Sequence, residues 1–270
     1  MTMLLRVTSM VSLLLASIGG VLAFFYPFLV AAAGYDPGPT RGIEVPLLFA
    51  ALALVSVIVL VTGFVDDERT FADPARTVAV LAVLVAVDSL LRFVPSLIGA
   101  SPIFLLIVLS GYVFGARFGF LMGALTLLVS AALTGGIGPW LPFQMLAAGW
   151  MGLTASWLPQ WRGWPRRLVL VAFGAFWGFA FGALMNLWFW PFAAPGVAES
   201  GGIYWTPSMT LSETIAAYAR FYLATSLLFD GTRALGNAAL LFLLGEPLVM
   251  VLERWKVRSS WRPWNEFPTD

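Results

Sequence analysis

The chain has 270 residues, 60% of them hydrophobic and 11% charged, with a net charge of +1. Its mean hydropathy of +0.89 excludes a soluble domain and a disordered chain, and the balanced charge leaves no basic face for nucleic acid. Cysteine and histidine are both absent, which discourages disulfides, Ser-His hydrolases, zinc proteases and haem proteins and leaves carboxylates, arginines, hydroxyls, amides and rings.

Taken in order, the apolar blocks predict about eight helical spans, at 8–33, 45–65, 76–95, 102–115, 117–134, 141–158, 167–190 and 215–251. A straight helix needs about 20 residues to cross hydrocarbon about 30 Å thick. The fourth and fifth blocks fall short, so they are expected to pack inside the bundle or reach only part way. Arg6, Arg69, Arg76, Arg117, Arg162, Arg166 and Arg167, with Arg254, Lys256, Arg258 and Arg262, all fall on one side if every span crosses, against Arg41 in the clear loops opposite. The positive-inside rule then predicts cytoplasmic N- and C-termini. The first block is too long for the usual apolar core of a signal peptide, although Ala31, Ala32 and Ala33 offer a small-residue cleavage site.

Lipid gives helices little hydrophobic reason to associate, so close packing depends on small residues at helical spacing. Gly111, Gly115, Gly119 and Gly123 recur every four residues, as do Gly174, Gly178 and Gly182. These predict packing within the bundle. Ala75/Ala79 and Ala82/Ala86 make similar steps on the third span. Ionisable residues inside a membrane normally face a partner or a cavity. Asp88 and Arg92 are spaced for a helical ion pair. Asp230, Arg233 and Asn237 form a polar stripe on the last span, Arg220 lies nearer the outside, and Asn186 stands alone on the seventh span. Mutual neutralisation and ligand contact both remain open for these groups.

Trp157, Trp161 and Trp164 sit beside the basic loop and read as interfacial belt residues, while Trp255, Trp261 and Trp264 belong to the tail. Trp140, Trp188, Trp190, Tyr204 and Trp205 gather instead on the outer side, where rings suit a planar ligand. Between them lies Gly135-Gly136-Ile137-Gly138-Pro139-Trp140-Leu141-Pro142-Phe143-Gln144-Met145. Its glycines and prolines preclude regular helix across it, predicting a structured capping or re-entrant loop with Gln144 facing an outer cavity.

From about residue 75 the chain resembles the substrate-binding (S) components of energy-coupling-factor vitamin transporters. The resemblance rests on Ala82-x-x-x-Ala86, on the run from Gly111 to Phe120, on Gly138-Pro139-Trp140-Leu141-Pro142-Phe143-Gln144-Met145, and on the stretch from Asp230 to Gly245 with its Asn237. It implies an all-α polytopic membrane protein whose six-helix bundle (71–252) follows an extra N-terminal transmembrane hairpin (1–70) and precedes a cytoplasmic tail (253–270). It also implies a subunit that is not an enzyme. Such a subunit captures a vitamin near the outer surface and docks, here through Ala82 and Ala86, on a membrane coupling subunit driven by two ATP-binding subunits. A missing Gly-x-x-x-x-Gly-Lys-[Ser/Thr] loop agrees with energy supplied by partners. No cofactor or metal is expected.

The candidate ligand contacts are Trp140, Phe143, Gln144, Asn186, Trp188, Trp190, Tyr204, Trp205, Arg220, Asp230, Arg233 and Asn237. A corrinoid ranks first as ligand and a riboflavin-like ring next. The rival readings are a lipid-modifying membrane enzyme and a secondary transporter. The first lacks clustered acidic ligands, since Asp88, Asp230 and Glu246 are far apart in sequence; the second lacks a visible internal repeat.

Overall fold

The computed structural model describes residues 2–33, 50, 51, 54, 74–94, 99–192 and 202–259. The predicted second span, Arg41, Arg69, Arg262, Trp261 and Trp264 lie outside these residues, apart from three helical positions at 50, 51 and 54. The described helices are α1 (Thr2–Ala32), α2 (Pro74–Leu91), α3 (Ile103–Phe114), α4 (Ala116–Thr134), α5 (Leu141–Ala155), α6 (Trp164–Phe189), α7 (Leu211–Thr225) and α8 (Leu227–Ser259), with a 3-10 turn over Trp190–Phe192. Among them Ala116–Thr134, Trp164–Phe189 and Leu227–Val257 are long and apolar enough to cross a membrane.

Helix α3 has 12 residues, all buried. At 1.5 Å per residue it spans about 18 Å, well short of the hydrocarbon core, so it serves as a post inside the bundle. What surrounds it is backbone. Gly111 on α3 and Gly119 on α4 both face Gly152 on α5, where a Cβ would sit 1.9 Å and 2.2 Å from the Gly152 carbonyl oxygen. Gly123 meets the Ala148 carbonyl in the same way. The glycine series predicted from the sequence therefore packs within the chain, with one exception. Gly115 adopts φ 97° and separates α3 from α4, so it is a joint where a side chain would be strained.

A second seam joins α6 to α8. Gly174 lies against Leu241 and Gly178 against Ala234, while the carboxylate of Asp230 occupies the space a side chain at Gly182 would need. The predicted last span is not one helix. It breaks at Ser226, whose φ is −117°, into an amphipathic α7 and the long α8. Leu211, Ile215 and Leu223 are exposed on α7, whereas Ala217 and Phe221 are buried. The reason for the break is tertiary: the Asn186 amide donates to Ser226 Oγ at 2.7 Å, which fixes the corner.

One end of the bundle is basic and tightly tied. Arg166 is buried and reaches Glu246 at 3.6 Å and Glu253 at 3.3 Å, and its Nε donates to the Trp161 carbonyl at 2.7 Å. Lys256 donates to the Val113 carbonyl at 2.9 Å, and the Tyr112 hydroxyl to that of Pro159 at 3.1 Å. Trp157, Trp161 and Trp164 are exposed here. The opposite end collects the α2 and α4 C-termini and the α3, α5 and α8 N-termini.

These seams predict a contrast between two glycines. Gly119→Val forces α4 and α5 apart and is expected to cost about 1–3 kcal/mol, the usual price of overpacking. Gly19→Ala, with nothing within 4 Å of the added carbon, is expected to gain up to about 1 kcal/mol of helix propensity. Unfolding midpoints of the two variants in detergent check both signs.

Candidate functional site

The end opposite the basic cluster holds a chamber of about 200 Å³, lined by Arg92, Gly99, Ser101, Ile103, Phe104, Leu127, Gln144, Phe181 and Arg233. Each wall has a local cause. Helix α2 stops at Leu91, and a tight turn in which the Arg92 N–H bonds the Ser89 carbonyl at 3.3 Å carries Arg92 off the helical path. Asp88 is fully buried and both its oxygens lack a hydrogen bond among the described residues. The Asp88–Arg92 ion pair that the spacing allows does not form, because the turn separates two residues that a continued helix would have stacked. Gly99 has φ 90° and a Cβ there would press within 2.9 Å of the Phe229 carbonyl oxygen, so this rim is confined to glycine.

On the facing wall, α4 ends at Gly135 in the left-handed conformation and α5 starts with Pro142 in its first turn. That puts Gln144 on the chamber wall. Its side-chain amide makes no hydrogen bond among the described residues. Trp140 folds back over Gly138, where a Cβ would collide with its ring, and its Nε1 donates to the Gly136 carbonyl at 3.2 Å. Trp140, Phe143 and Trp188 form one ring group between the start of α5 and the end of α6, with the Trp140 and Phe143 centroids 6.5 Å and 5.8 Å from that of Trp188, and none of the three lines the chamber.

Arg233 is oriented by what lies behind it. Its Nη1 bonds Asp230 and the Gly178 carbonyl, at 2.5 Å and 3.2 Å, and the guanidinium stands 5.4 Å from the Phe181 ring centroid. Asp230 is buried, and its second oxygen is unpartnered among the described residues. Asn237 donates to the Gly174 carbonyl at 3.1 Å and belongs to the α6–α8 seam, away from the chamber. Asn186 is engaged with Ser226.

The other predicted contacts gather elsewhere. Trp190, Trp205, Tyr218 and Phe221 form a separate aromatic cluster with Tyr204 packed against it, and Phe28 of α1 meets Trp205 edge-on at 5.1 Å. Beside this cluster lies an apolar pocket of about 360 Å³ whose walls include Phe25, Phe28, Trp190, Trp205, Ile215 and Tyr218. Arg220 donates to the Gly202 carbonyl at 2.8 Å and lines neither cavity. Thr210 caps α7, and the bond from its N–H to the Glu213 carboxylate, 2.8 Å, holds that carboxyl below its usual range. The sequence reading thus mixed two sites. It also missed Ser101, Phe104 and Phe181 on the chamber, and Phe25 and Phe28 on the pocket, because nothing but tertiary packing marks them.

Among the described residues, a helical bundle tied together at its basic end, with a polar chamber at the other, suits a membrane subunit that holds a small ligand. Over residues 76–245, well over half of the chain, the sequence matches the family described as ECF transporter, substrate-specific component. The chain belongs to that family. It is accordingly a membrane-embedded, substrate-binding subunit of an energy-coupling-factor transporter, and the family is one of transporter components, not enzymes. No curated protein and no solved structure matches it.

The Asp230–Arg233 pair yields a stability prediction. Truncating one member of a buried pair leaves an uncompensated charge and costs about 3–5 kcal/mol. Arg233→Ala is therefore expected to lower the unfolding midpoint sharply. Asp230→Asn with Arg233→Ala should recover much of the loss, a non-additivity read by a double-mutant cycle.

Proposed function

We propose that the chain captures a compact, ring-bearing micronutrient, a vitamin or its precursor, from outside the cell in the polar chamber, and delivers it by docking α2 on the coupling subunit. The observation that carries this reading is the chamber itself: Gln144, Arg92, Arg233 and Ser101 converge above the aromatic walls of Phe104 and Phe181. A few placed polar groups over an apolar lining is the usual build of a small-ligand site. The cluster of Arg and Lys at the far end supports a cytosolic assignment for that end by the positive-inside rule, with the chamber facing out.

Size refines the ligand. Sites for drug-sized ligands run about 300–1,000 Å³, and the chamber has about 200 Å³. This favours a compact ring compound below drug size over both the corrinoid that ranks first from the sequence and the riboflavin-like ring that ranks next.

Docking is supported by an uncovered stripe. Ala75, Ala79, Ala82 and Ala86 are all exposed along α2 with Val78, Val83, Val87 and Leu90, while Leu81, Leu84, Val85, Asp88 and Ser89 face inward. Small residues on an exposed membrane face permit close approach of another helix, which supports Ala82 and Ala86 as the contact with the coupling subunit and its two ATP-binding partners.

Two outcomes test the proposal. Ala82→Trp or Ala86→Trp is expected to abolish uptake in cells while leaving ligand capture by purified protein intact; undiminished transport by both variants refutes the docking face. Gln144→Ala is expected to weaken capture about tenfold, by loss of one placed polar contact, measured on ligand retained through purification and identified by mass spectrometry.

A further inference from the structure

We infer that the ligand held in this chamber carries a carboxylate, bound between Arg92 and Arg233 with the Gln144 amide as a third donor. The inference rests on the chamber being the capture site. Its basis is charge accounting. Two guanidinium groups line the chamber and, among the described residues, no carboxylate does. Asp230 is already engaged by Nη1 of Arg233, and Asp88, buried on α2, makes no ion pair with Arg92, which leaves the helical path after Leu91.

The donors left over are the ones that face the cavity. Both hydrogen bonds of Arg233 use Nη1, while its Nη2 points to the rim, 3.7 Å from where a Cβ on Gly99 would lie. The Arg92 guanidinium has neither a hydrogen bond nor an ion pair among the described residues, although the residue is only partly exposed. A guanidinium can escape such a position by reaching a lipid headgroup. Arg92, however, lies on the chamber wall with Gln144 and Arg233, whereas the outward stripe of α2 is made by Val83, Val87 and Leu90. Away from bulk water an unneutralised cation is unfavourable, and a planar carboxylate offers a guanidinium fork two charge-assisted bonds. Phe181, already under Arg233, gives the ligand's ring an apolar wall.

The test uses full-length protein in nanodiscs of zwitterionic lipid, titrated with benzoate or with benzamide. The two probes are similar in shape and differ in charge. Unfolding midpoints are followed by tryptophan fluorescence. Benzoate is expected to raise the midpoint saturably and to bind about tenfold more tightly than benzamide, the margin of a charge-assisted pair. Arg92→Gln should erase the difference, Arg92→Lys should retain part of it, and Gln144→Leu should weaken both probes. Equal responses, no response to benzoate, or a preference surviving Arg92→Gln overturns the inference. Repeating the titration with phosphatidylglycerol nanodiscs distinguishes the other source of an anion. A benzoate response lost there assigns Arg92 to a headgroup phosphate and also overturns it. A neutral vitamin captured equally by wild type and Arg92→Gln, with Ala82→Trp still blocking uptake, would remove the carboxylate and leave the importer reading standing.

Discussion

The chamber exists because backbones touch. In lipid, helices gain little by burying apolar surface against one another, so association depends on dispersion and on how closely main chains approach. At the α4–α5 crossing the approach is so close that a Cβ on Gly119, Gly123 or Gly152 would lie about 2 Å from a carbonyl oxygen. Three helices share this contact, since Gly111 of α3 faces the same Gly152. The seam fixes α3, and with it Ile103 and Phe104 at the chamber's base.

The second seam does for charge what the first does for shape. Gly182 leaves a space on α6, and the Asp230 carboxylate fills it. A buried carboxylate demands a partner, and Arg233, three residues on, supplies it. Placing Nη1 on Asp230 and on the Gly178 carbonyl leaves the rest of the fork no freedom to turn away from the cavity. A missing side chain at one position thereby orients a cation at another.

What the sequence revealed follows from the physics that shapes it. Glycines every four residues mark close helix contacts irrespective of partner, and both seams were legible in that spacing. The segment from Gly135 announced a break because prolines and a left-handed glycine allow few alternatives, but the loop is confined to 135–140: Leu141 to Met145 open α5, where a proline in the first turn is tolerated. The break at Ser226 left no such trace. Thr225-Ser226-Leu227 carries no strong helix breaker, and the corner is held by Asn186 from another helix. Arg92 was undecided for a related reason: spacing alone allows a pair with Asp88, but a turn one residue earlier cancels the geometry on which that pairing depends. Large rings were visible as a group, yet only packing separates the Trp140, Phe143 and Trp188 group from Trp190 and Trp205 in the second cluster.

Helix α1 lies outside the stretch that defines the family, and its contacts indicate why the bundle tolerates it. Phe24 meets Phe143 edge-on at 5.0 Å, Trp150 of α5 donates to Ser17 Oγ at 3.0 Å, and Gly20 lies against Leu146 and Trp150. These contacts place α1 on α5 and α6, whereas α2 packs on α3 and α4. An added helix on α2 would have buried Ala82 and Ala86. On α5 it instead braces the turn that presents Gln144, since Phe143 precedes that residue directly and is wholly buried. The extra element is thus compatible with an exposed α2 stripe, and its aromatic contacts run to Phe143 and Trp150 of α5 and to Trp190 and Trp205 beside the apolar pocket.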